Sequence, residues 1–365
     1  MSHFSCRLMR FFLLTTPLLM CLVPRELSGQ GIGGGLGGGK GRIEGTIKFM
    51  PIPYVNYDRS LGGMFGAVPL LMFNPVKKDT VSPSSLVGGV GMYTTNKTWF
   101  AMGFGMFHFG RDNWRVTSAG GRGTMHYQFF LDLLSGIWIP YQAEASFAMV
   151  RVERRIYEEL YGGVSYVHAH IVTTLEGVPL TDTLQLDGAG LNLSLDHRQN
   201  PYYPRGGFYS DMKYTVFPEW VGNEYTSQKL EFEHNHYFPA REKKDVFAAR
   251  LFLGIGLGEV AFNQQVIVGG KDIRGYTQGA YRGKSVVALQ GEYRWNFHRR
   301  WGMVGFAGIA TVLGALNEGD SGKPLPGAGA GFRFRVFPEA NFSAGIDVAA
   351  GIGDWGIYFQ IGEAF

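Results

Sequence analysis

Two histidine pairs, His168/His170 and His234/His236, are the first candidates for chemistry in this 365-residue chain. In an extended strand, residues two apart project from one face, so each pair offers two imidazoles side by side. A zinc site needs further ligands at matching spacing, and none stands out beside either pair. Both pairs read as rim or lumen histidines of a strand protein. Gly39-Lys40 has the outline of a phosphate loop, but Gly41 follows where Ser or Thr is required, and no strand precedes it. Gly-x-Gly triplets are frequent among 54 glycines and lack the helix and acidic partner of a dinucleotide site. No Ser-His-Asp or paired-carboxylate arrangement emerges from the spacing. The only cysteines, Cys6 and Cys21, lie within the first 29 residues, so beyond them no thiol can serve zinc, redox chemistry or a disulfide. The expectation is no enzyme: no catalytic residue, no metal and no cofactor.

What remains to explain is the scaffold. Charged residues make up 18% of the chain and the net charge is +4. The charge is mild and not gathered into a dense basic patch, which gives no case for nucleic acid. Mean hydropathy is −0.03, far from that of a helical membrane protein but compatible with strands that alternate apolar and polar residues. Arg7 and Arg10 precede an apolar run, Phe11 to Val23, and small residues follow near Leu27-Ser28-Gly29. Residues 1–29 therefore read as a secretory signal peptide, too short for the ~20 residues of a spanning helix. Residues 30–45 read as a Gly-rich linker.

From residue 46 to 365 the period is two. In 286–297, Val287, Leu289, Tyr293, Trp295 and Phe297 oppose Gln290, Glu292, Arg294 and Asn296. The same split recurs at 246–258, 191–196, 342–350 and 355–361. Aromatic residues gather near strand ends (Tyr202, Tyr203, Trp220, Tyr237, Phe238, Trp295, Trp301, Trp355), as the interfacial girdles of a membrane barrel do. The opposing faces carry charges and glycines, a poor soluble core. The predicted fold is all-β: a transmembrane antiparallel β-barrel with its apolar face to lipid and its charged face to a wet lumen. At about 20 residues per strand and connection it holds about 16 strands. Residues 131–140 are expected to form a short non-strand connection.

Four stretches resemble the surface-antigen and barrel-assembly superfamily of outer-membrane proteins. They are Pro51-Ile-Pro-Tyr54 through Asp58 to Leu61-Gly62-Gly63; Asp196-His-Arg198-Gln-Asn200-Pro201-Tyr-Tyr-Pro204-Arg205-Gly206; Gly269-Gly270 with Ile273-Arg274-Gly275-Tyr276; and Phe359-Gln-Ile361-Gly362-Glu-Ala-Phe365. The resemblance implies an outer-membrane location, outer-membrane lipid and the barrel-assembly machinery as partners, and a role in inserting or transporting proteins or lipids. It also implies that the long connection at 260–285 folds into the lumen, where Arg274 pairs with an acid on the wall. By alternation, Glu292 and Asp347 are the inward acids to nominate. Gly275 would permit the turn that seats the arginine. The resemblance makes Phe365, on the apolar face, part of a terminal assembly signal, and Gly362 part of a weak seam between first and last strands. Asp196, Arg198 and Asn200 read as a turn whose side chains cap the backbone before Pro204 and Gly206. Family members carry periplasmic domains ahead of the barrel. The stretch 30–45 is far below the ~50 residues of even a small domain, so a separate periplasmic partner is expected. The rival reading is a passive channel or structural barrel whose loop plugs the pore.

Overall fold

A computed structural model describes residues 47–58, 62–131, 137–175, 181–198, 200, 203–242, 244–258, 260, 265–269, 272–276, 281–315, 318–337, 342–361 and 363–365. The signal and linker expectations, and the one on Gly362, lie outside these residues. The strands are β1 (Ile47–Asp58), β2 (Gly62–Phe73), β3 (Ser85–Thr94), β4 (Trp99–Phe109), β5 (Trp114–Leu131), β6 (Ile137–Tyr157), β7 (Leu160–Leu175), β8 (Thr181–Asp196) and β9 (Gly207–Phe217). They continue as β10 (Ser227–Ala240), β11 (Asp245–Gly258), β12 (Val266–Val268), β13 (Tyr281–Trp295), β14 (Trp301–Ala315), β15 (Leu325–Phe337), β16 (Phe342–Gly351) and β17 (Asp354–Ile361). Every ladder is antiparallel between chain neighbours, with one exception: β13 pairs with β11 along Ser285–Arg294 and with the short β12 along Tyr281–Gly283. β12 thus extends the line of β11 after a detour, so the wall has sixteen positions, as expected. Residues 131–140 are a correction: β5 runs to Leu131 and β6 begins at Ile137, which leaves only 132–136 between them.

The alternation resolves the two faces. Val287, Leu289, Tyr293 and Trp295 point outward and are exposed, whereas Gln290, Glu292 and Arg294 are buried inside. Ile346, Val348, Trp355 and Ile357 point outward in the same way. The belt of rings is partly as expected: Phe238, Trp295, Trp301 and Trp355 are exposed on the outside. Tyr203 and Tyr237 are not in it, because both are buried in the interior, and Trp220 stands on a short 3-10 turn between β9 and β10.

The charged inward face expected of the barrel is found mainly on β10–β17 and less along β1–β8. Across β1–β8 the inward face carries an apolar cluster that includes Met50, Leu70, Met72, Leu86, Phe104 and Phe147. These side chains are buried against one another, so hydrophobic burial contributes to that half of the interior. Charge is concentrated on β10–β17 and at the end of the barrel where β1 begins and β17 finishes, called here the near end.

β1 pairs with β2 and β17 with β16. β1 and β17 lie next to each other, yet among the described residues no register joins them, and the sheet is not closed there.

Candidate functional site

The site is the interior surface where the connection between β11 and β13 meets β13–β17. Arg274 stands at its centre, 2% exposed. Its Nη2 donates to Glu292 Oε2 at 2.6 Å and to Gln290 Oε1 at 3.0 Å, and its Nη1 donates to Asp347 Oδ2 at 2.6 Å. The guanidinium carbon lies 3.3 Å from the centroid of the Phe306 ring, a cation–π contact. Both nominated acids therefore meet Arg274 at once, from β13 and β16. A planar guanidinium with donors on two edges suits this bridging, which an ammonium could not reproduce.

Each acid is shared. Glu292 Oε1 also accepts from Arg294 Nε at 2.9 Å, and Asp347 Oδ2 accepts from Arg333 Nη2 at 3.1 Å. Glu363 lies 3.7 Å from Arg294 and 3.5 Å from Arg333. Buried charges survive only when paired and hydrogen-bonded, and alternating Arg and Glu or Asp across β13, β15 and β16 meets that condition.

The rest of the loop motif anchors the backbone. Gly275 has φ 113°, in the region that glycine enters without strain. A Cβ there would lie 2.6 Å from the Ala350 carbonyl carbon, so the loop presses directly on β16. Gly275 N donates to Tyr358 Oη of β17 at 2.9 Å. Tyr276 Oη donates to the Pro326 carbonyl at 2.7 Å and accepts from Ile352 N at 3.1 Å. Its ring packs on Gly351, where a Cβ would come within 2.3 Å of it. Ile273 packs with Val266, Val268, Val286 and Leu325 in an apolar cluster beside the ion network.

Phe365 is a correction. It is not on the apolar outer face: after Ile361 the chain turns inward, and Phe365, 2% exposed, packs with Tyr237, Val246 and Ala248 inside the barrel. Arg294 Nη2 donates to its carbonyl. Phe359 and Ile361 belong to β17, which pairs them with Ile346 and Ala344 of β16.

A second polar network, which the sequence reading missed, closes the near end between β4 and β9. Asp196 accepts from Arg198 Nε at 2.8 Å and from Arg115 Nη1 at 2.9 Å. It is thus an ion-pair centre as well as a turn residue. Asn200 Oδ1 accepts from Tyr203 N at 3.3 Å, as a turn cap does, and Pro204 and Gly206 are buried beside it. Asp112 collects Arg115, Arg155 and Tyr161 Oη, the last at 2.7 Å, and Arg115 holds its carboxyl below the usual range against the opposing pull of burial. Arg151 Nη1 donates to Asp211 Oδ2 at 3.1 Å. The connection from β2 to β3 folds under this network. Asp79 there accepts from Val81 N, Ser82 N, Ser82 Oγ and Arg111 N. Burial opposes its ionisation, but these four donors hold the carboxyl well below its ordinary value. Inward parity near strand ends was the available signal for Arg115, Arg151 and Asp211.

Neither histidine pair lies in the lumen. His168 and His170 alternate with buried Ala169 and Ile171 and so face outward, with His168 Nδ1 2.8 Å from Asp187. His234 and His236 stack against Phe208 on the outside. Among the described residues no three metal-ligating side chains converge.

The Omp85 superfamily domain matches residues 141–365, from β6 to the last residue. The chain belongs to the Omp85 superfamily. Similar solved structures include BamA from Haemophilus ducreyi lacking POTRA domains 1-3 (TM-score 0.57, 14% identity, 87% of this chain and 69% of that one). CdiB from Escherichia coli has a TM-score of 0.64 at 12% identity, over 87% of this chain and 63% of that one. For CdiB from Acinetobacter baumannii the TM-score is 0.60 at 12% identity, over 87% and 60%. The chain thus spans less than two thirds of either CdiB protein, and at such identities the likeness speaks for the fold. None of the curated proteins matches the chain in sequence. The superfamily places it in the bacterial outer membrane, as a barrel of the insertion and translocation type.

Proposed function

We propose that this barrel assists the insertion or transport of proteins or lipids at the outer membrane by working at its β1–β17 edge, braced from within by the Arg274 loop. The observation that carries the reading is the edge itself. Every other neighbouring pair of wall strands is joined by a ladder, and β1 and β17 adjoin without one among the described residues. An unpaired edge offers backbone donors and acceptors to an incoming strand, the general route of β-augmentation. A passive pore would instead require a closed wall around a wet lumen, and the apolar packing on β1–β8 argues against a wide aqueous path.

In this reading the loop sets the shape of the edge, because Tyr358 of β17 and Asp347 of β16 are both held by 274–275. The tail at 363–365 is held inside by Arg294 and is a third element of the brace. Neither network presents an exposed nucleophile or general base, so the reading requires no bond chemistry. The proposal includes a separate periplasmic partner that delivers clients, for which the likeness to the BamA and CdiB barrels is the support. The test is a disulfide between cysteines placed across β1 and β17. Locking the edge abolishes activity in cells and reduction restores it, whereas unchanged activity in the locked protein refutes the proposal. Planar-bilayer recordings provide the second measurement: steady, large conductance from the unmodified chain would establish the passive channel instead.

A further inference from the structure

We propose that the near-end rim between β10 and β15 is a binding surface for anionic phospholipid headgroups. The inference rests on the barrel standing in a membrane and not on the reading of the β1–β17 edge. Two neighbouring connections supply the rim, with Arg241, Glu242 and Lys244 between β10 and β11 and 296–300 between β13 and β14. They are stitched together: Arg241 Nη2 donates to the Asn296 carbonyl at 2.9 Å, and Asn296 Nδ2 donates to the Lys244 carbonyl at 2.8 Å. Lys244, His298, Arg299 and Arg300 are exposed on this edge.

Charge there is poorly compensated. Arg241 is matched by Asp245 at 2.7 Å. Among the described residues Lys244 is paired with the exposed Glu242, at 3.4 Å, a contact worth little in water. Behind the second turn, Arg335 is 9% exposed and donates from Nη1 to the Arg299 carbonyl at 3.2 Å and from Nη2 to Asn296 Oδ1. Among the described residues no carboxylate is paired with it. Its fixed charge therefore adds to that of Arg299 and Arg300.

Position decides between a lipid and a soluble acidic protein. Directly beside these cations on the outer face stand exposed rings: Phe238, Phe247, Trp295, Phe297, Trp301 and Phe332. They stand as neighbouring pairs, with centroids 6.2 Å apart for Phe238–Phe247, 5.1 Å for Trp295–Phe297 and 5.0 Å for Trp301–Phe332. Rings of this kind settle at headgroup level, which puts the guanidinium and ammonium groups within reach of lipid phosphates. A purely protein-facing patch would need no such belt beneath it.

The test uses the full folded chain in bilayers of phosphatidylcholine with spin-labelled phosphatidylglycerol or spin-labelled phosphatidylcholine as probe. The immobilised fraction gives the relative affinity at the protein surface. We expect the chain to prefer phosphatidylglycerol about tenfold at low salt, consistent with several basic residues near the interface. The preference should fall to near parity in 0.5 M salt, because surface charge is screened beyond a few ångströms there. The triple variant K244Q/R299Q/R300Q loses most of the preference, and K97Q/K323Q at the opposite end keeps it. Heat-dependent gel migration verifies that each variant is folded; should the triple variant fail to fold, R299Q and R300Q singly each lower the preference about twofold. Equal affinity for both lipids in the unmodified chain would overturn the proposal in favour of a soluble acidic partner. Retention of the preference in the folded variants would overturn its assignment to this rim.

Discussion

Replacing Arg274 by alanine tests the luminal brace most directly. The substitution removes two charge-assisted hydrogen bonds of 2.6 Å, a third to Gln290 at 3.0 Å, and the contact with Phe306. Breaking a buried ion pair typically costs 3–5 kcal/mol, because a charge is left behind without its partner. Here neither acid is stranded: Glu292 retains Arg294 at 2.9 Å and Asp347 retains Arg333 at 3.1 Å. The expected loss therefore lies at the lower end, about 3 kcal/mol. R274K keeps the charge but reaches one acid at a time, and should lose about half as much. Urea unfolding in detergent micelles, followed by tryptophan fluorescence, measures both. A double-mutant cycle with Glu292→Gln isolates the pair, with a coupling energy above about 1 kcal/mol expected for side chains in contact. If R274A unfolds at the same urea concentration as the unmodified chain, and the cycle gives no coupling, the brace contributes nothing and the reasoning fails.

Further outcomes follow from neighbouring contacts. G275A introduces a methyl group 2.6 Å from Ala350 at φ 113°. It should free the loop to protease attack while leaving strand circular dichroism unchanged; a loop as resistant as before would refute the close approach. F365A empties the pocket formed with Tyr237, Val246 and Ala248 and should lower stability by about 3 kcal/mol, as truncation of buried phenylalanine does, read in the same urea assay. Asp79 has a depressed folded value, so its contribution is fully present above its unfolded value near 4 and is lost as pH falls below that. Hydrogen-exchange protection in the segment 74–84, taken relative to the intrinsic rate at each pH, should fall below about pH 4, and in D79N should already be low at pH 7 and change little with acid.

Much of the wall was legible because β13, β16 and β17 alternate cleanly, with Leu289 or Ile346 against Glu292 or Asp347. Parity alone therefore nominated both acids that meet Arg274. The same rule is silent on β1–β4, where both faces are apolar: Phe49 and Phe65 face out while Met50 and Leu70 face in. A pattern without contrast cannot announce which side is the lumen. Phe365 was misplaced because parity was extended past Ile361, where the strand ends and the chain turns inward. At Asp196 the sequence shows the turn but not the ion centre, because Arg115 is 81 residues away and no local spacing encodes such a partner.

The loop at 272–276 has a mechanical consequence. It is tied to β13 through Glu292 and Gln290, to β15 through the Pro326 carbonyl, to β16 through Asp347 and to β17 through Tyr358. It works as a strut across four strands, and a pull on β17 is carried to β13 without passing through the intervening ladders. With only eight residues in that last strand, its resistance to tearing resides as much in the strut as in its own hydrogen bonds.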